Sequence, residues 1–515
     1  MNRTLAPRVE RPTDPLETGF RPAVVVAKAP HVTHTQTKEL SHMKARILIG
    51  TFAAAGLALG VGQMTATAVP GDGGTSETQA GTDVIVGAIN GVSNYGTNTV
   101  NGVAMYGYAF GTTSCNIGTA VLRWSTNSSF HPVIPQNAYR IKDGRIEQIG
   151  LSWMKYGFCA LQENLCATCQ AGGVGCGSSQ STLGIGCSDP YSSSLNGSQS
   201  SLGPRSRVNA STGYFPGDTS AEIGSWPAMP AGQGNINRRI QIKRDDLIPA
   251  NNVGAVYLAE GLYVHPDDAA AGNDNNNVSY IKVNVSATNY NMSLSGATFQ
   301  QKPAIYHWAT VVPTVAYSVA DMADGRFIVA NNVSQNANGT YHYEYAIYNQ
   351  NSDSSGGSFA IPLAAGVTVT NATFKDISYH SNEIYNGTDW SITNTGTELK
   401  WQCTQTFAQN ANANALRFGT LYNFAFDANS PGVTGDTVLG VFKTGASVTV
   451  RGKVPAAVCR SGDLDCNGII DGSDLGGLLA NWGPCAGGTP GCPGDLDNDG
   501  NVGGSDLGAQ LANWG

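Results

Sequence analysis

The chain has 515 residues, only 13% of them charged, with Lys+Arg 29 against Asp+Glu 37 and a formal charge of −8. That is about half the usual charged share. With no basic patch the composition argues against a nucleic-acid partner, while abundant Gly, Ser, Asn and Thr suit extracellular β-structure with long polar loops.

Met43-Lys44-Ala45-Arg46, the apolar run Ile47 to Val61 and then Ala66-Thr67-Ala68 have the three-part form of a secretory signal. The run is too short for a membrane anchor, so the mature chain is expected to start near Val69 and to carry no membrane span. Residues 1–42 read as translated leader, because Lys38-Glu39 can be encoded by a ribosome-binding sequence just upstream of Met43. Residues 69–82 are a linker. The mature chain of about 447 residues, linker included, exceeds one ordinary domain and suggests about three.

Residues 83–301 alternate short β-like segments with Gly/Ser/Asn loops, as in Asp83–Ile89, Val103–Ala109, Ala120–Trp124 and Val278–Val285. All eleven cysteines follow the leader, which points to disulfides formed in an oxidising compartment. Six lie between Cys115 and Cys187, and the stretch 170–220 reads as a disulfide-tied excursion. Cys166-Ala167-Thr168-Cys169 lacks the second close pair that zinc requires. Pairing cannot be read from spacing; the odd total leaves one thiol over, and isolated Cys403 is the candidate.

Residues 302–452 are more regular. Nine strand-like runs separated by turn clusters predict a two-sheet β-sandwich. Within it, Tyr341, Tyr343, Tyr345 and Ile347 form a period-two stripe of the kind a half-buried strand presents.

A catalytic reading centres on the polar-aromatic run from His131 to Arg140, continuing through Arg145, Glu147, Gln148, Trp153, Lys155 and Tyr156. Glycoside hydrolysis needs two carboxyls facing one bond, and Glu147 with Asp189 or Glu260 would supply them. The alternative is that Glu147 pairs with Arg145 on a strand face while Trp153 and Tyr156 pack. Two or three of His131, His265, His307, His342 and His380 could hold copper or zinc, although no local ligand spacing joins them. The segment from Glu260 through His265-Pro266-Asp267-Asp268 to Asn273-Asp274-Asn275-Asn276-Asn277 is rich in oxygen ligands without calcium-loop spacing, and reads as a solvated turn. No Gly-x-Ser-x-Gly, His-Glu-x-x-His or phosphate loop occurs.

The last segment, 459–515, carries the most specific pattern. Asp463, Asp465, Asn467, Ile469 (through its carbonyl), Asp471 and Asp474 stand at calcium-loop positions with Gly468 at the turn. Thirty-two positions later Asp495, Asp497, Asp499, Asn501 (again a carbonyl) and Asp506 repeat the set, with Gly503 replacing Asp471. Leu475, Leu478, Leu479 and Trp482, then Leu507, Leu511 and Trp514, follow at helical spacing. Calcium at two sites is the expected cofactor.

These duplicated loop–helix units resemble the dockerin family, particularly the tails of secreted planctomycete-type proteins. The resemblance implies two antiparallel calcium-loop helices and docking onto a cohesin-like or cell-surface scaffold protein. Loop positions ten and eleven read Gly472-Ser473 and Gly504-Ser505 in place of a Ser/Thr pair, and four cysteines decorate the unit. The body, through phrases such as Gly186–Tyr191 and Leu202–Ser206, is similar to uncharacterised secreted proteins with such tails. The expected protein is therefore mainly β: a disulfide-containing β-rich domain, a β-sandwich and a small α-helical calcium-loop module. Its expected role is extracellular adhesion, matrix or scaffold-docked assembly. The rival is a glycoside hydrolase acting on a polysaccharide.

Overall fold

The computed structural model describes residues 80–378, 381–488 and 490–515. The leader 1–42, the signal-like segment 43–68, the linker up to residue 79 and His380 lie outside the described residues. Among the described residues no helix is long and apolar enough to cross a membrane.

Four larger antiparallel sheets build the body, beside a small three-stranded and a two-stranded one. The first is a long hairpin, Val84–Val100 with Val103–Asn116, which turns through Asn101 and Gly102 at φ 48° and 83°. That Asn-Gly pair is the type that tight hairpins favour, because both central residues must adopt positive φ. Ile240–Lys243 and Ser188–Tyr191 pair with the second strand of the hairpin. The second sheet runs Met292–Phe299, Val278–Val285, Val256–Leu262, Gln136–Lys142, Arg145–Leu151. The third runs Ala316–Met322, Gly325–Gln335, Tyr341–Asn349, Thr420–Ala428, Val369–Lys375. The fourth runs Ser391–Asn394, Glu398–Gln402, Gly356–Pro362, Gly432–Val441, Ser447–Pro455.

The sheets stack in that order, and three cores lie between them. Val84, Val86 and Phe110 of the first sheet meet Ala138, Ala259 and Ile281 of the second. Phe327, Tyr343 and Tyr345 of the third meet Phe359, Trp401 and Leu439 of the fourth, closing a five-on-five sandwich. The outer faces of the two pairs also join: Tyr139, Ile141, Ile146 and Leu258 pack on Ile328, Ala346, Tyr348 and Leu421, with Trp308 beside them. Each such large apolar side chain contributes about 1.5–3 kcal/mol when fully buried. The second and third sheets are therefore covered on both faces.

This double burial corrects the half-buried reading of 341–348. Tyr343, Tyr345 and Ile347 enter the sandwich core, while Ala346 and Tyr348 enter the middle core, and even Glu344 is only 4% exposed. Glu344 is tolerated there because Arg145 of the second sheet reaches it at 2.7 Å.

Five disulfides are present: Cys115–Cys166, Cys159–Cys176, Cys169–Cys187, Cys459–Cys466 and Cys485–Cys492. Cys403 is free and buried. Cys166 and Cys169 take different partners, so the Cys-x-x-Cys is a crossing of two staples. The tied excursion spans 159–187; beyond it Ser188–Tyr191 joins the first sheet.

Candidate metal sites and the carboxylates of the body

In the C-terminal segment each Asp-rich loop leads into a nine-residue helix, Gly472–Ala480 or Gly504–Ala512. The turn glycines Gly468 and Gly500 have φ of 91° and 87°, a region closed to most side chains. In the first loop Asp463, Asp465 and Asp474 bring oxygens within 4.8 Å of one another, and in the second Asp495, Asp497 and Asp499 do the same. Oxygens sharing a calcium ion at 2.3–2.6 Å lie no farther apart than about 5 Å. The donor set and its spread therefore fit a hard cation. Asp495 also neighbours Cys485 and Cys492, but those sulfurs are joined in a disulfide and cannot act as thiolate ligands.

Backbone N–H groups hold these carboxylates in place. Leu464, Asp465 and Asp471 donate to Asp474 at 2.7, 3.2 and 2.9 Å; Leu496, Asp497 and Gly503 donate to Asp506 at 2.6, 3.2 and 2.7 Å. Asp463 accepts from Asn467 and Gly468, and Asp495 from Asp499 and Gly500. Asp497 accepts from Asp499, while Asn467 and Asp499 accept from Ile469 and Asn501. Asp471 caps its helix by accepting from Ser473, a role Gly503 cannot repeat. Ile469 turns its side chain to solvent, 54% exposed, at the lip of the first loop.

The two copies exchange contacts. Gly483, three residues beyond the first helix, pairs with Val502 of the second loop; Gly515, thirty-two positions on, donates to the carbonyl of Ile470 in the first. Ile470 and Val502 are both buried between the copies. The helical stripe splits accordingly: Leu478 faces inward, while Leu479, Trp482, Leu511 and Trp514 stay 47–52% exposed. Gln510 occupies the inward position in the second helix and donates to the Gly462 carbonyl at 2.9 Å.

In the body, the three carboxyls suggested for hydrolysis have separate surroundings. Glu147 accepts from Arg140 at 2.6 Å and lies 3.4 Å from Arg145, the strand-face pairing that competed with the catalytic reading. Burial opposes its charge, but the two guanidiniums outweigh burial and hold its carboxyl below the usual range. Glu260 is 1% exposed in the second sheet and accepts from Asn137, Tyr139, Tyr348 and the Ala304 backbone. Asp189 pairs into the first sheet opposite Ser114. Trp153 and Tyr156 are fully buried in an aromatic cluster with Trp226. Two cavities, around Tyr263–His265 and around Leu247–Tyr257, are lined by other residues.

The four described histidines use their ring nitrogens locally. His131 meets the Pro132 carbonyl and Asp218, and His342 meets Asp427 and Glu344. His265 accepts from the Asp267 N–H and meets the Arg123 carbonyl, while Tyr280 meets His307.

Asp189 gives a pH-dependent expectation. One oxygen accepts from Leu161 at 2.7 Å, the other is buried without a partner, and burial pushes the carboxyl up to about 7. A raised carboxyl favours the protonated folded state, so its stabilisation is complete below pH 4 and is lost as pH rises to about 7. Urea unfolding at pH 4.5 and pH 8 is expected to differ by roughly 2–3 kcal/mol from this group, and Asp189→Asn is expected to flatten that slope.

No family model matches the chain, and no curated protein matches it. Among solved structures, a serine-rich repeat adhesion glycoprotein from Streptococcus agalactiae aligns at 10% identity over 73% of this chain and 99% of that one, with a TM-score of 0.18. An exo-chitosanase from Amycolatopsis orientalis aligns at 10% identity over 67% of this chain and 25% of that one, with a TM-score of 0.14. At such TM-scores neither likeness bears on function.

Proposed function

We propose that residues 459–515 are a dockerin-like module for two calcium ions, through which an exported protein is docked as an adhesion, matrix or scaffold component. The observation that carries this reading is the pair of carboxylate-lined loops joined reciprocally at Ile470 and Val502. Asp463, Asp465, Asn467, Asp471 and Asp474 would hold one ion, and Asp495, Asp497, Asp499 and Asp506 the other. Bound calcium neutralises these carboxylates. The loop backbone then presents the helices, and the exposed Leu479, Trp482, Leu511 and Trp514 offer apolar area to a protein partner. Five disulfides accord with an extracellular setting. The engagement of Glu147 by two arginines and of Glu260 by four donors supports assembly over glycoside hydrolysis.

The test is calcium-dependent retention of the full chain on a cohesin panel and on the surface of producing cells. Retention is expected with calcium and lost in EDTA, in Asp474→Ala/Asp506→Ala and in Trp482→Ala/Trp514→Ala. Equal retention of the variants would refute docking through the tail. Polysaccharide turnover abolished by Glu147→Gln would overturn the non-catalytic reading.

A further inference from the structure

The two Asp-rich loops repeat at a spacing of thirty-two, but their disulfides do not. Cys459 and Cys466 stand where the second copy has Gly491 and Asn498, while Cys485–Cys492 has no counterpart in the first copy. Cys466 is the fourth loop residue, between Asp465 and Asn467, and its bond to Cys459 closes a ring that includes Asp463 and Asp465. Cys466 has φ of 61° and Asn498 of 58°. Asn tolerates this left-handed region better than most side chains, an advantage Cys lacks. A Cβ placed on Gly491 would lie 3.5 Å from Asn498 Oδ1, so the same two chain segments approach in both copies. The first copy therefore adds a covalent tie where the second relies on a glycine and an asparagine.

The ring also contains Arg460. Its guanidinium donates to the carbonyls of Gly468 and Gly515, and its own carbonyl accepts from the Asp463 N–H at 2.9 Å. One cross-link thus restrains the first expected ligand and, through Arg460, the turn glycine and the chain beyond the second helix. Cys485–Cys492 acts from outside the second loop. The Cys485 N–H donates to the Gly500 carbonyl at 2.9 Å, the Gly491 N–H donates to Asp495 Oδ2 at 2.9 Å, and the Cys485 sulfur lies 3.5 Å from that oxygen. Cys485 is 4% exposed, whereas Cys459 is exposed and Cys466 half-buried, so a reductant meets the first bond more readily. Without an ion, each loop must still keep several carboxylates close together. Ring closure removes open conformations in which they would spread, so less ordering is left for the ion to supply.

We propose that the Cys459–Cys466 disulfide is a redox switch on the first calcium loop, which holds its ion when oxidised and releases it when reduced. A dithiol breaks the S–S bond and leaves two Cys thiols; it gives up two protons and two electrons and itself becomes a disulfide. Cys466 then has no tie to keep it at positive φ, and Asp463 and Asp465 separate. The second loop has Asn498 at that position and keeps its ion. This inference rests on the calcium reading of the tail.

The test titrates calcium chloride by calorimetry into the full chain carrying Asp506→Ala, oxidised and after dithiothreitol, to read the first loop. Reduction is expected to weaken binding at least about tenfold. Adding Cys459→Gly and Cys466→Asn, the residues of the second copy, is expected to give an affinity that dithiothreitol leaves unchanged, although the other four disulfides meet the same reagent. Equal affinity of the oxidised and reduced Asp506→Ala chains would overturn the switch while leaving the calcium reading intact. An equal fall in the Cys459→Gly/Cys466→Asn chain would also overturn it, because the effect would then come from another disulfide. If the Asp506→Ala chain binds no calcium, the parent chain is titrated in both states. Preferential loss of one of its two equivalents on reduction supports the switch; retention of both, or the same loss with Cys459→Gly and Cys466→Asn, overturns it. Absence of calcium heat in the oxidised parent would remove the calcium reading and the switch together.

Discussion

Glu260→Ala is expected to destabilise the body by about 3–5 kcal/mol, read as a lower urea midpoint with an unchanged slope. Glu260 Oε1 accepts from Asn137 at 2.8 Å, Tyr139 at 2.8 Å and Tyr348 at 3.2 Å, and Oε2 accepts from the Ala304 N–H at 2.7 Å. Tyr348 belongs to the third sheet and the others to the second sheet or its flanking turn, so one carboxyl spans the joint between layers. Arg205 extends the joint by donating to Asn137 Oδ1 and to the carbonyls of Gln136, Ser152 and Gly419. Burial raises the Glu260 carboxyl while its four donors pull the other way, and burial prevails. Alanine removes the acceptor and leaves four buried donors behind, which is the expensive outcome. A cycle with Tyr348→Phe separates the contributions. Tyr348→Phe alone is expected to cost about 1 kcal/mol, and much less once Glu260 is already alanine. A catalytic acid would behave differently, since its replacement would spare stability.

Much of the sandwich was legible because its strands alternate with turn clusters at regular intervals. The nine expected runs fall within or against strands from Gly325–Gln335 to Ser447–Pro455. The strand that escaped, Ala316–Met322, is a largely exposed edge, and Ala-Tyr-Ser-Val-Ala-Asp-Met offers no clean alternation. The middle core was hidden for another reason. Glu344, Arg145, Gln148 and Asn423 look like solvent-facing positions in a strand. In the fold Gln148 bonds to Gly419 and Leu421, Asn423 bonds to the Ile146 carbonyl, and Arg145 bonds to Glu344. A polar residue satisfied by another sheet carries no sign of that partner in its own neighbourhood. The same limit applied to Glu147 and Glu260, whose residue types suggest acid chemistry and whose partners assign them to the joint. It applied again to Asp268, buried against the Val84 N–H from 184 positions away, so local spacing could only suggest a turn. The expected ligands of the C-terminal loops, by contrast, fall within twelve consecutive residues and occur twice, so that pattern is visible locally.

Calcium removal is expected to unfold the C-terminal module while the sandwich stays intact, giving a separate low-temperature transition in calorimetry. From Cys459 onward the chain carries eight Asp against one Arg, and the acidic side chains are concentrated in the two loops. Without a cation the carboxylates of Asp463, Asp465 and Asp474 repel across 4.8 Å or less, as do those of Asp495, Asp497 and Asp499. With calcium at a hundred times Kd, linkage stabilises the folded module by about 2.7 kcal/mol per site, or about 5 kcal/mol for the pair. For a module whose internal core is little more than Ile470, Leu478 and Val502, that amount decides whether it folds. Asp474→Ala is expected to abolish the first site, and it also strips the acceptor from three backbone N–H groups. Asp506→Ala has the equivalent effect on the second. Because Gly515 bonds to Ile470 and Gly483 pairs with Val502, losing either loop loosens the opposite helix end, so each variant should weaken calcium binding at the intact site as well. Calorimetric titration of each variant checks this: unchanged affinity at the remaining site would show that the reciprocal contacts transmit nothing, and absence of calcium heat in the parent chain would remove the sites altogether.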